Sequence, residues 1–300
     1  MFFPDTIRSG LGTCISAAGI VVLLAGMSVA DDSNGALPEK PAAVSAAGLD
    51  SQPAQPDRVN GEYVKGYFTD TVRILASPAN WDRSDWLKTG LVIGATSGLF
   101  FADTDIRNFA QRNQSSIGDK GAAVGNAIGN PFYTLPPLGL FYLYGHVTDD
   151  PKARRTSLLA LESLAISSAF SWVVKTAVQR PRPLTGENSS AWSGPGFKNG
   201  NSSFPSNHTT AAFSIASVFA EEYGTNPYVP PIAYGLATLT GFARIYDNKH
   251  WASDAFFGGA IGYFVGKAVV RYHTVQGDTP LKILPTVSQQ GFGVTAEYRF

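Results

Sequence analysis

The chain has 300 residues, with 23 Lys+Arg against 23 Asp+Glu, so no net field favours nucleic acid or an acidic partner. At 15% charged and 44% hydrophobic residues it is poorer in charge than the ~25% of an ordinary soluble protein, which implies a large core or partial contact with lipid. The only cysteine, Cys14, lies near the N-terminus. If that segment is removed, no disulfide, thiolate zinc site or cysteine nucleophile is left.

The N-terminus reads as an export signal. Arg8 gives the positive charge, residues 20–25 are an apolar run, and Ser28 and Ala30 suit a cleavage site before Asp31. Residues 1–30 are therefore expected to direct the chain to the periplasm or the periplasmic face of a membrane. Residues 31–60, rich in Ala, Pro and Ser, read as a disordered linker.

Tyr63, Val64, Tyr67, Phe68, Val72 and Leu75 recur at helical spacing, predicting an amphipathic helix within 61–85 that ends near Pro78. Further helices are expected over 86–101, 122–144 (interrupted by Pro131, Pro136 and Pro137), 155–178, 209–223, 231–245 and 251–272. The uncharged runs 89–102, 163–174 and 255–266 are all shorter than the roughly 20 residues of a membrane span, and 223–243 reaches that length only with three prolines. Gly258, Gly262 and Gly266 leave one helix face bare for close packing. Phe292, Val294, Ala296, Tyr298 and Phe300 alternate with smaller or polar residues, so 274–300 is expected to carry a short β-hairpin.

Three stretches carry chemistry. In "KTAVQRPRP", Lys175 sits near a helix end, and prolines force Arg180 and Arg182 into extended chain. A compact ammonium and a planar guanidinium together suit phosphate. In "FPSNH", Ser206 can cap a helix whose free N–H groups face an anion, with His208 in its first turn. In "ARIYDNKHWASD", His250 and Asp254 are spaced to share a helix face, so that the carboxylate would fix the imidazole tautomer, and Arg244 adds a second fork. Together these groups describe a pocket for a phosphate-sized oxyanion with two proton-handling histidines and no metal.

The order Lys-x6-Arg-Pro, Pro-Ser-Gly-His, Ser-Arg-x5-His-x3-Asp resembles the signature of the type-2 phosphatidic acid phosphatase and vanadium haloperoxidase superfamily. Lys175, Arg182 and Pro183 match the first block. Pro205, Ser206 and His208 match the second, with Asn207 in the glycine position. Arg244, His250 and Asp254 match the third, with Ala243 in place of serine. The resemblance covers about 86–273. It implies an all-α bundle of about six core helices with the site at helix ends. It also implies a metal-independent phosphatase acting on a phosphomonoester or pyrophosphate, with a phosphorylated lipid as the expected substrate and a membrane as the expected surroundings. By that likeness His250 attacks phosphorus, Asp254 orients it and His208 protonates the leaving oxygen. Lys175, Arg182, Ser206, the Asn207 backbone N–H and Arg244 hold the phosphoryl oxygens. No cofactor is implied, except vanadate under the alternative of a haloperoxidase; a non-catalytic phosphate- or lipid-binding member is the other alternative. Asn207 raises a doubt particular to this chain: glycine there permits a positive φ, and an asparagine side chain would intrude on the phosphate.

Other polar residues carry less. Asp103 and Asp105 are expected to cap the helix ending at Phe101. Glu162 reads as a buried, hydrogen-bonded carboxylate, and His273 as a cation at a helix end. His146 lies beside a loop, Trp251 walls the site, and the polar loop 186–203 connects two of the motifs.

Overall fold

The computed structural model describes residues 57–197, 202–274, 281–288 and 291–298, so the expected export signal and most of the expected linker lie outside the described residues. Eight α-helices occur among the described residues: α1 Gly61–Ala76, α2 Arg83–Arg112, α3 Ser116–Gly129, α4 Pro131–Val147, α5 Pro151–Val178, α6 Asn207–Glu222, α7 Val229–Tyr246 and α8 Ala252–Thr274.

The boundaries follow local chemistry. Asn60 caps α1 by accepting from Tyr63 N, and the chain leaves α1 through a short 3-10 turn containing Pro78. Asp82 and Asp85 form a capping box at the start of α2. The helix expected over 122–144 is two helices, because Asn130 ends α3 and caps α4, with Pro131 in the first turn where no N–H is needed. Asp150 caps α5, and Gln179 ends it in the left-handed conformation at φ 51°.

One boundary corrects the sequence reading. Asp103 and Asp105 do not cap a helix, since α2 continues past them to Arg112. Asp103 is fully buried, and its carboxylate is satisfied by other elements of the fold.

The core is centred on α5, α6 and α8, with Leu159, Ile166 and Val174 against Val218, Phe257, Ile261 and Val265. The bare face of α8 meets α6. A Cβ at Gly258 would lie 2.6 Å from Ser206 O, one at Gly266 2.7 Å from Ser214 O, and one at Gly262 closer still to Thr210 O. Backbone-to-backbone packing of this kind is what small residues at helix interfaces allow. It also presses the start of α6 directly onto the first turns of α8.

Only α5 among the described helices is long and apolar enough to cross a membrane, and 67% of that window is buried inside the bundle. Large apolar side chains nonetheless remain exposed around the outside, including Leu91 and Phe101 on α2, Phe132 and Leu140 on α4, and Ile232 and Phe242 on α7. After the bundle, β1 Leu281–Ser288 runs antiparallel to β2 Gly291–Tyr298, with Leu281 opposite Tyr298 and Ser288 opposite Gly291.

Candidate active site

The three chemistry-bearing stretches meet at one end of the bundle, where α5 and α7 finish and α6 and α8 begin. After Gln179 the chain turns and runs extended, with Pro181 bridged to Ser202. Ser203 N donates to Arg180 O at 2.6 Å and Ser203 Oγ to Pro181 O at 3.0 Å. Trp251 Nε1 donates to the same Pro181 oxygen at 3.0 Å, so one carbonyl ties all three stretches together. Ser206 N donates to Asp254 O at 3.0 Å and ties the second to the third again.

Three cations gather here. Lys175 Nζ donates to Ser202 O at 2.9 Å and Ser203 O at 3.3 Å. Burial pushes the Lys175 ammonium down to about 7; Asp254 opposes the shift, and Arg182 and Arg244 reinforce it. Arg182 and Arg244 are likewise lowered, first by burial. Arg244 Nη1 donates to Asn126 Oδ1 at 2.5 Å, and Asn126 Nδ2 to Asp247 Oδ2 at 2.6 Å. Nε of Arg182 and Nε of Arg244 are both buried with no hydrogen-bond partner. Buried guanidinium N–H groups without acceptors suit an oxyanion, which would satisfy them and neutralise the cluster.

His208 sits in the first turn of α6. Its pKa is pushed down to about 4 by burial and then by Arg244, Arg182 and Lys175, so all three cations act on one imidazole. Ser206 is fully buried; its hydroxyl caps α6 and lies 2.9 Å from Thr209 Oγ1. Asn207 departs from the sequence expectation. It is the first residue of α6 and is not among the positive-φ residues, so glycine is not needed there for backbone reasons. Its Oδ1 accepts from Ser171 Oγ of α5 at 2.5 Å, which ties the side chain to the helix that carries Lys175.

His250 and Asp254 also differ from expectation. His250 precedes α8 and does not share a helical face with Asp254. Nδ1 of His250 is 3.7 Å from Asp254 Oδ2, beyond hydrogen-bond reach, and has no partner. Asp254 Oδ2 instead accepts Trp251 N–H at 2.8 Å, the local bond that starts α8. Burial drives His250 down to about 3, against the pull of Asp254 and with Lys175 and Arg182 adding to the effect. Burial alone would raise Asp254, but Arg180, His250 and the Trp251 N–H hold it below the usual carboxylate value.

Behind Asp254 lies a network that sequence reasoning missed. Arg180 is fully buried, with Nη1 2.6 Å from Asp254 Oδ1 and Nη2 2.7 Å from Asp103 Oδ2. Asp103 also accepts from Ser253 Oγ at 2.5 Å and Ser253 N at 2.9 Å. Phe100, Trp192 and Trp251 enclose the guanidinium. The loop 186–203 thus does more than connect, since its Ser189 carbonyl accepts from Arg180 and its Trp192 stacks on Phe100. The one hint in the sequence was an acid directly after the uncharged run 89–102; Asn126 offered none.

The family model described as the PAP2 superfamily matches residues 156–278, which hold all nine matched motif residues. Over this segment the chain is similar to the PAP2 superfamily. Asp103 and Asn126 fall outside the PAP2 segment yet hold two of its arginines. A "Lipid A 1-phosphatase" of Porphyromonas gingivalis is 46% identical over 66 residues, covering 22% of this chain and 15% of that relative's length. Two solved structures are similar at lower identity. The Aquifex aeolicus LpxE is 22% identical, with TM-score 0.45, over 57% of this chain and 95% of that one. The transmembrane PAP2 type phosphatidylglycerolphosphate phosphatase from Bacillus subtilis is 15% identical, with TM-score 0.44, over 72% and 97%.

Proposed function

We propose that the chain is a phosphoric ester hydrolase that removes phosphate from a phosphorylated lipid, as a monoester or pyrophosphate, through a phosphohistidine and without a metal ion. The observation that carries this reading is the convergence of Lys175, Arg182 and Arg244 on His208, with two arginine Nε groups buried and unpaired. The similarity of 156–278 to the PAP2 superfamily supports the reaction class.

In the proposed cycle the three cations and the free N–H groups at the start of α6 hold the phosphoryl oxygens. The His250 nitrogen remote from Asp254 attacks phosphorus as the bond to the leaving oxygen breaks. Protonated His208 gives that oxygen its proton. Water then attacks the phosphohistidine, neutral His208 takes the water's proton, and phosphate departs. Asp254, held by Arg180, stabilises the charge that forms on His250.

A lipid substrate is supported by an apolar groove of about 360 Å³ lined by Ile128, Tyr133, Pro137, Leu138, Phe141 and Phe219. Its wall adjoins Gly129, whose Cα packs against His208. The Porphyromonas gingivalis relative and the exposed apolar rings on α2, α4 and α7 support membrane association. We further propose that residues 1–30 export the chain, that 86–273 form the catalytic domain, that 61–85 supply a helix packed on it, and that 274–300 form a hairpin appendage.

The test is phosphate release, in the presence of chelator, from phosphatidic acid, a polyprenyl pyrophosphate, lipid A and a soluble phosphomonoester. Release from at least one lipid is expected, and His250→Ala should abolish it. Release by His250→Ala at the wild-type rate would rule out the phosphohistidine.

A further inference from the structure

A second cluster of ligating side chains lies far from the motif residues. Asp70 of α1, Glu162 of α5 and His273 of α8 each offer one atom, and the three atoms lie within 4.8 Å of one another. His273 Nε2 is 3.0 Å from Asp70 Oδ2 and 3.2 Å from Glu162 Oε2. Glu162 is fully buried and Asp70 is 2% exposed. Glu162 lies thirteen residues before Lys175 on α5, about 20 Å along the helix, so this cluster is no part of the phosphate pocket.

The second observation is what the cluster lacks. Asp70 Oδ2 and Glu162 Oε1 are both buried and neither accepts a hydrogen bond. A single ring nitrogen has one in-plane direction and can donate to only one oxygen, so His273 cannot satisfy two carboxylates. Arg73 and His273 both ion-pair with Asp70, yet neither gives these two oxygens a hydrogen bond. Arg73 Nη1 donates to the other oxygen of Asp70, at 3.3 Å. A metal ion bound at Nε2 in place of its proton would meet all three ligands at once. Bonds of 2.0–2.1 Å in a tetrahedron put ligand atoms roughly 3.3 Å apart, close to the 3.0 and 3.2 Å seen here.

We propose that Asp70, Glu162 and His273 bind a divalent first-row transition metal of the zinc class, with water as the fourth ligand. One imidazole and two carboxylates suit zinc and its neighbours better than magnesium or calcium, which prefer all-oxygen sites. The ion joins three helices, and one of them, α1, lies outside the PAP2 segment. Its role is to fasten α1 to the bundle beside the Tyr63 Oη to Leu158 O bond, not to take part in the proposed reaction.

The test uses the full-length protein in detergent, stripped with chelator, equilibrated with zinc and gel-filtered before metal analysis. Wild type should retain about one zinc per chain and unfold at a higher temperature with zinc than without. Asp70→Asn and Glu162→Gln should each weaken retention by at least about tenfold. A His208→Ala/His250→Ala double variant should retain zinc fully, which separates this site from the motif histidines. Cobalt(II) bound to wild type should show tetrahedral absorption that zinc abolishes, a readout that needs no folded variant. The proposal is overturned by wild type that holds no zinc or shows no such absorption. It is also overturned by Asp70→Asn or Glu162→Gln variants that hold zinc as tightly as wild type, or by loss of zinc on removing His208 and His250.

Discussion

Protonation ties the candidate site to stability. In the unfolded chain His208 and His250 titrate near 6.5 and Lys175 near 10.5, but in the fold they are held at about 4, 3 and 7. The unfolded state therefore binds protons more tightly over this whole range. Stability should rise with pH, first between about 4 and 6.5 through the histidines and then between about 7 and 10 through Lys175. Inorganic phosphate supplies the missing negative charge and should flatten this rise, as chemical denaturation at several pH values with and without phosphate would record. For the same reason, calorimetry in buffers of different ionisation enthalpy should register proton uptake when phosphate binds near pH 6. His208→Gln should reduce that uptake.

Asn207 and Asp103 carry opposite lessons at the same scale. Asn207→Gly should leave turnover within about twofold, since the backbone there is already helical and gains nothing from glycine. It should cost about 1 kcal/mol through the lost Ser171 bond and added chain entropy. A tenfold gain in phosphate release would contradict this. Asp103→Asn leaves Arg180 with one buried carboxylate, Asp254. It should cost about 3 kcal/mol or more in denaturant unfolding and lower turnover through Asp254, with substrate affinity less affected. The sequence pointed to the motif residues because each block is local and its residue types are unusual together. It could not reveal Asp103, because that acid and its Arg180 partner are 77 residues apart in the chain. It could not show where the Asn207 side chain is held, because that depends on Ser171 on another helix.

Among the elements, the α6–α8 seam decides whether the site assembles. Gly258, Gly262 and Gly266 bring the α8 backbone against Ser206, Thr210 and Ser214, and the first of these contacts is at the N-cap that precedes His208. Gly262→Val should drive the two helices apart, costing about 3 kcal/mol in thermal unfolding and lowering phosphate release with it. A stable, fully active variant would show that the seam is not needed. This seam was legible beforehand, since a four-residue glycine repeat has few other uses in a helix. Helix lengths were less legible: α2 outruns its expected end because Asp103 and Asp105, read as caps, sit inside it.

For the whole molecule, the exposed apolar side chains on α2, α4 and α7 predict sedimentation of the full chain with phospholipid vesicles. Replacing Leu91, Leu140 and Ile232 together with serine should shift it toward the soluble fraction while leaving the helical circular dichroism in place. Composition had already indicated lipid or a large core, and the fold contains both a buried seam and an apolar exterior.

The position of Asp103 bears on where the catalytic unit begins. A fragment trimmed to 156–278 would keep every motif residue but strand Arg180, a buried charge with half its counterions gone. Arg244 would lose Asn126 in the same cut. A self-sufficient piece of this chain is therefore expected to include Asp103 of α2 and Asn126 of α3, and homologous segments grafted between relatives should fail unless the donor helix bearing the acid travels with them.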